Sequence, residues 1–214
     1  MIGQKLQKDM SIIFQKIRQE RMSVNMLREI ANQIRVRLCR IQFITKNILY
    51  GENFSPMGRI NLRGSNIVIG NNVIIRSGMK FNAVGAETPT TLVVHGKGSI
   101  VIGNNVGISN SIFISNNEII LEDNVMIGGG CKLFDNDFHS INFQERMEVP
   151  DVHVKSLPIT IKNGAFIGAY SIILKGVTVG ERSIVAAGSV VSKDIPPNEI
   201  WGGAPAKFIR KLEN

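Results

Sequence analysis

From residue 161 an aliphatic side chain falls on every sixth position: Ile161, Ile167, Ile173, Val179, Val185 and Val191. Four residues after each stands a small or β-branched one, Ala165, Ser171, Val177, Ser183, Ser189 and Ile195. An earlier tract repeats the rule with Ile102, Ile108 and Ile114, then after one extra residue with Leu121, Ile127 and Leu133, and Ile69, Ile75 and Phe81 begin it. A period of six fits neither a helix of 3.6 residues per turn nor a hairpin meander. It fits short strands separated by corners, with the aliphatic residue pointing inward. Three such sides close a triangular coil, and coils stacked about 4.8 Å apart give each backbone amide a partner above or below. The corners need unusual dihedrals, which Gly70-Asn71-Asn72, Gly103-Asn104-Asn105 and Glu122-Asp123-Asn124 can adopt.

Two segments break the period. Before residue 51, Leu6, Met10, Ile13, Phe14 and Ile17 recur at helical spacing, and Met26/Leu27, Ile30, Ile34 and Leu38 resume it. This predicts two helices, the second with an uncertain end because Arg35-Val36-Arg37-Leu38 also alternates as a strand would. Between Leu133 and Ile159 the hexads stop altogether. The expected organisation is a basic helical extension over 1–50, a β-solenoid over 51–200 interrupted by a loop at 134–158, and a turn, short helix and basic tail over 201–214.

Charge sharpens the boundary near Tyr50. Residues 1–50 hold ten Lys/Arg against three acids, while the other fifteen Lys/Arg meet fourteen acids, so most of the net +8 lies in the first quarter. One reading lays the basic stripe of residues 1–22 on an anionic membrane surface; the other packs its apolar face on the body or on a neighbouring subunit. Nucleic acid is not an expected partner, because the basic stretch offers only Phe14, Phe43 and Tyr50 for stacking. The 214 residues include 21 Gly but only three Trp and Tyr, a balance suited to tight corners rather than to a helical bundle. Two cysteines, Cys39 and Cys131, are too few for a disulfide framework or thiolate zinc site. With neither a signal-peptide cleavage site nor an apolar run near the roughly 18 residues of a membrane span, a reducing cytosol is the expected setting.

The interruption reads Phe134-Asp135-Asn136-Asp137-Phe138-His139-Ser140. A long excursion from a rigid solenoid is where function tends to sit. The hexad pattern over residues 58–195 resembles that of the hexapeptide-repeat acyltransferases, and the Asp-x-Asp-x-His run resembles the catalytic loop of their sugar and xenobiotic O-acetyltransferases. The resemblance implies a left-handed parallel β-helix, a homotrimer with active sites between subunits, and acetyl-CoA as donor. It makes His139 the general base, with Asp137 or Asp135 holding the other ring nitrogen. An imidazole suits that role because it titrates near neutrality.

The segment Gly203-Ala204-Pro205-Ala206-Lys207 is similar to the family's ending. By the same resemblance Gly168 and Ala169 offer backbone contact near the thioester, Ala187 lines the pantetheine path, and Ser192, Lys193, Lys207 and Arg210 meet the cofactor's phosphates. Asn110 stands at a place comparable to the family's acceptor-holding asparagine. The expected activity is O-acetylation of a sugar or polysaccharide intermediate. N-acetylation of a nucleotide-linked amino sugar and an inactive β-helical scaffold are the alternatives. No metal is expected, since zinc would need His95, His139 and His153 to converge, and no Walker motif supports nucleotide hydrolysis. Cys131 is expected to be a small buried thiol rather than a nucleophile.

Overall fold

The computed structural model describes residues 11–12, 24–149 and 153–213. The first predicted helix and the stripe proposed for membrane contact lie outside the described residues except for Ser11 and Ile12. The second predicted helix is α1, Val24–Thr45, so the ambiguous Arg35–Leu38 stretch is helical. Its buried side falls on Cys39 and Phe43, whereas Met26, Leu27 and Leu38 are exposed. Phe43 packs against Phe54 and Tyr50 with ring centroids 5.0 and 6.4 Å apart. Arg40 donates to the carbonyl of Phe54, and Cys39 Sγ to that of Gly58 at 3.1 Å. The helix thereby closes the open first end of the solenoid. Among the described residues, no helix is long and apolar enough to cross a membrane.

From Leu49 the chain winds around three parallel sheets in turn. The first face holds Leu49–Tyr50, Ile67–Ile69, Ser99–Ile102, Glu118–Leu121, Ile159–Ile161 and Thr178–Val179. The second runs from Ser55–Met57 through Ile74–Arg76, Gly107–Ser109, Met126–Ile127, Phe166–Ile167 and Ile184–Val185 to Glu199–Gly202. The third holds Asn61–Arg63, Thr91–Val94, Ile112–Ser115, Lys132–Phe134, Ile172–Leu174 and Val190–Val191. This is a left-handed parallel β-helix. All six aliphatics of the tract from Ile161 are buried, at most 1% exposed, and Ala165, Ser171, Val177, Ser183, Ser189 and Ile195 are buried beside them. The inward serines keep their hydroxyls satisfied by corner carbonyls: Ser171 and Ser189 donate to Ala186 O, and Ser183 to Pro196 O.

The corner between the first and second faces is an asparagine ladder. Asn53, Asn72, Asn105, Asn124 and Asn163 pass side-chain hydrogen bonds of 2.9, 3.0, 3.2 and 2.9 Å from coil to coil. Asn72, Asn105 and Asn124 have φ of 57°, 56° and 60°, the left-handed region that asparagine tolerates best among non-glycine residues.

Three details depart from the hexad reading. Phe113, not Ile114, points inward on the third face, because only five positions separate Ile108 from Phe113 where six separate Ile127 from Leu133, and these pairs are in register. The missing residue is at the Asn110 corner. Phe81 is not a strand residue: the chain leaves the coil after Arg76 and rejoins it at Thr91. The short helix expected in the tail is instead a strand, Lys207–Lys211, antiparallel to Glu199–Gly202. Its Phe208-Ile209 pair suits an extended chain, the Phe208 ring meets Trp201 at 6.4 Å, and the hairpin covers the last strand edge of the second face.

Candidate active site

The loop at 134–158 departs after the third-face strand Lys132–Phe134 and returns to the first-face strand Ile159–Ile161, so it stands on the corner between those faces. Its first turn is fixed by many local bonds. Asn136 Oδ1 accepts from Phe138 N at 2.9 Å, Asp137 O from His139 N at 2.7 Å, and Asp137 N donates to Lys155 O at 3.1 Å. Phe138 takes φ 63° and sets its ring edge-on to Phe134, 5.1 Å away. A bulky residue held in the left-handed region at such a turn is strained and stays there only because its neighbours determine it. His139 emerges from this turn exposed. Beyond it, Asn142 caps α2, Phe143–Arg146, and Ser140 Oγ donates to Glu145 Oε2 at 2.6 Å.

The two aspartates have different surroundings. Asp135 is fully buried and accepts from Ser115 Oγ at 2.7 Å and from the amides of Asn116 and Asn117, both at 2.8 Å. Its carboxylate is engaged with the corner of the preceding coil, which corrects the expectation that it can orient His139. Asp137 receives Lys175 Nζ on Oδ1 at 2.5 Å, while its Oδ2 is buried with no hydrogen-bond partner among the described residues. An unmatched buried carboxylate oxygen costs free energy, so it is an acceptor in want of a donor. Among the described residues, no three His, Cys, Asp or Glu side chains gather as metal ligands.

Gly168, Ala169 and Ala187 lie together on another corner, between the second and third faces, following Phe166–Ile167 and Ile184–Val185. A Cβ on Gly168 would stand 2.6 Å from Ala187 N and from Val185 O, so only glycine lets these coils close. Gly202 and Lys207 continue the column into the hairpin, where they are paired. Ser192 and Lys193 follow Val190–Val191 and therefore sit on the corner of the His139 loop, exposed, away from this column. Arg210 pairs with Ile200 at the far end of the hairpin and is exposed. Of the seven residues expected to hold cofactor, four thus share one edge and three do not.

Asn110 is not available to a ligand. It is fully buried, its Oδ1 accepts from Gly78 N at 2.6 Å, and its Nδ2 donates to Asn82 O and Val84 O, both at 2.8 Å. These bonds pin the loop from Ser77 to Thr90, which hexad reasoning missed although the distance from Ile75 to the next inward aliphatic, Leu92, announced a break. The loop lies over the second–third corner. Gly85, at φ 70°, sits where a Cβ would be 2.2 Å from Gly130 N, and its amide donates to Tyr170 Oη at 3.0 Å. One side of the small-residue column is therefore filled as far as Tyr170, and Gly168 begins the part beyond it. Lys175 also went unnoticed, since nothing in a lone corner lysine signals a partner far along the chain.

Cys131 is fully buried with its Sγ 3.2 Å from Gly168 O, and burial pushes its pKa up to about 11. It is no candidate nucleophile. A concavity between α1 and the first coils, lined by Cys39, Gly58, Arg59, Met79 and Phe81 among others, includes neither His139 nor any residue expected to hold cofactor.

Coils of hexads, with an imidazole on one corner and a column of small residues on the next, define a hexapeptide-repeat β-helix. Residues 158–193 match the family model described as bacterial transferase hexapeptide (six repeats). Over that stretch the chain carries the hexapeptide repeat of these transferases. It is 34% identical over 118 residues to the galactoside O-acetyltransferase of Escherichia coli, covering 52% of this chain and 57% of that one. The chain spans about half the length of the curated relatives it matches. Among solved structures it resembles AntD, an N-acyltransferase from Bacillus cereus, there bound to a dTDP-sugar and coenzyme A, with TM-score 0.64 and 21% identity over 83% of this chain and 90% of that one. It also resembles a hexapeptide-repeat acetyltransferase of Vibrio cholerae complexed with acetyl-coenzyme A, with TM-score 0.56 and 22% identity over 91% and 93% of the two chains.

Proposed function

We propose that the protein transfers an acetyl group from acetyl-CoA to a hydroxyl of a sugar or polysaccharide intermediate, with His139 as general base. The observation that carries this reading is the Asp137–His139 turn, in which an exposed histidine is bound through its amide to Asp137 O at 2.7 Å and the Asp137 carboxylate keeps one buried oxygen without a donor among the described residues. The kinship with a galactoside O-acetyltransferase supports the reaction class. The small-residue column at Gly168, Ala169 and Ala187, continued to Lys207, fits an extended pantetheine arm whose phosphates meet a cation.

In the reaction His139 removes the proton of the acceptor hydroxyl as its oxygen attacks the thioester carbonyl. Collapse of the tetrahedral adduct breaks the carbon–sulfur bond, and the proton returns to the sulfur, giving free coenzyme A. Asp137 Oδ2 accepts the second ring N–H and stabilises the imidazolium.

His139 and the column occupy opposite edges of the third face. One chain therefore does not close a site by itself, and the reading places three copies around an axis so that the loop of one faces the column of the next. Wild-type protein incubated with acetyl-CoA and a panel of glycans should release free thiol with a hydroxyl-bearing sugar. His139→Ala should lower turnover by about 100-fold or more. Retention of more than about a tenth would defeat the assignment, and no thiol release with any acceptor would favour an inactive scaffold.

A further inference from the structure

The loop bearing His139 is a long excursion from a rigid coil, yet proton transfer demands that its imidazole stand at one height along the solenoid. An ion pair to the following coil supplies that constraint. Lys175 follows the third-face strand Ile172–Leu174 on the same corner and reaches back to Asp137 Oδ1 at 2.5 Å. Both side chains are largely buried, 23% and 20% exposed, which shields the pair from solvent screening more than a surface pair. The backbone of Asp137 in turn accepts the His139 amide at 2.7 Å, so fixing this one carboxylate fixes the peptide from which the imidazole projects.

We propose that Lys175 is a positioning residue for His139. It clasps Asp137 to the solenoid, and by occupying Oδ1 it leaves Oδ2 as the oxygen turned toward the imidazole's service. A lysine suits the task because its long stem carries a compact charge across the gap between the coil and the loop. The proposal rests on the reading of His139 as the base, and it adds a residue on a different coil, 36 positions further along the chain, that touches no substrate.

The test compares Lys175→Met, which keeps the length and removes the charge, with Lys175→Arg, which keeps the charge. Amide hydrogen exchange is followed through the Asp135–Ser140 segment, alongside steady-state kinetics with acetyl-CoA and whichever glycan the wild type accepts. The expected result for Lys175→Met is exchange at His139 faster by about 10-fold while strand amides keep their protection, with kcat lower by about 10- to 100-fold and KM for acetyl-CoA within about two-fold. Lys175→Arg should recover at least half of both effects. Unchanged exchange at His139 in Lys175→Met, or kcat within two-fold of wild type, overturns the clasp. The exchange measurement does not depend on catalysis. A His139→Ala enzyme with undiminished turnover would therefore sink the general-base reading without touching the exchange result, and the two failures can be told apart.

Discussion

Replacing Asp135 separates structure from chemistry in the Asp-x-Asp-x-His turn. The carboxylate is wholly buried and accepts three bonds of 2.7–2.8 Å, from the Ser115 hydroxyl and the amides of Asn116 and Asn117. Asp135→Ala strands the amides of Asn116 and Asn117, while the Ser115 hydroxyl keeps Ser99 O as an acceptor at 2.9 Å, and at about 1–2 kcal/mol for each stranded amide the loss is about 2–4 kcal/mol. At roughly 2–4 °C per kcal/mol for a chain of this size, the melting temperature should fall by about 5 °C or more. Circular dichroism on heating gives the shift. Acetyl transfer measured near 15 °C, where the variant remains folded, should keep kcat within about five-fold of wild type, because Asp137 and Lys175 are untouched. An unchanged melting temperature together with a 100-fold loss of kcat would refute the reasoning and return Asp135 to the catalytic machinery.

Asn110→Ala removes three hydrogen bonds that hold the loop from Ser77 to Thr90, so limited proteolysis should cut within that loop at least about ten-fold faster while the coils resist; equal cleavage would show that the loop is held by other means. Cys131, with a pKa raised to about 11, is ionised to only about one part in a thousand at pH 8, so iodoacetamide should label it only after unfolding, and rapid labelling of the folded protein would contradict its burial. Since the folded-state value lies above the ordinary thiol value of 9.0, this group's contribution to stability is complete below pH 9 and is lost as pH rises toward 11, which denaturant melts at pH 8 and pH 10.5 can check.

The coil was legible because burial enforces the period: the aliphatics at every sixth position from Ile161 to Val191 are buried without exception. Where a corner is one residue short, the same arithmetic misled by one position, and Phe113 rather than Ile114 fills the core. The tail was misread because its basic residues suit either a helix end or an exposed strand; pairing with Glu199–Gly202 decides between them, and that partner lies in the fold rather than in the segment. The loop histidine could be found from the break in the repeat. The division of labour between Asp135 and Asp137 could not, since both precede His139 at short spacing and only the neighbouring coils, through Ser115 on one side and Lys175 on the other, tell them apart. Ser192 and Lys193 are close in sequence to the small-residue column but one face away from it, a separation that spacing along the chain does not reveal.

The claim that an imidazole from one copy serves a donor lying along the column of another is tested most directly by mixing two inactive variants. His139→Ala lacks the base, and Ala187→Trp, at an exposed position, obstructs the column. Co-refolded in equal amounts, they should regain ~25% of wild-type turnover, because a quarter of randomly assembled interfaces pair an intact loop with an intact column. Turnover no greater than the sum of the two parents would mean that base and donor meet within a single chain, or not at all.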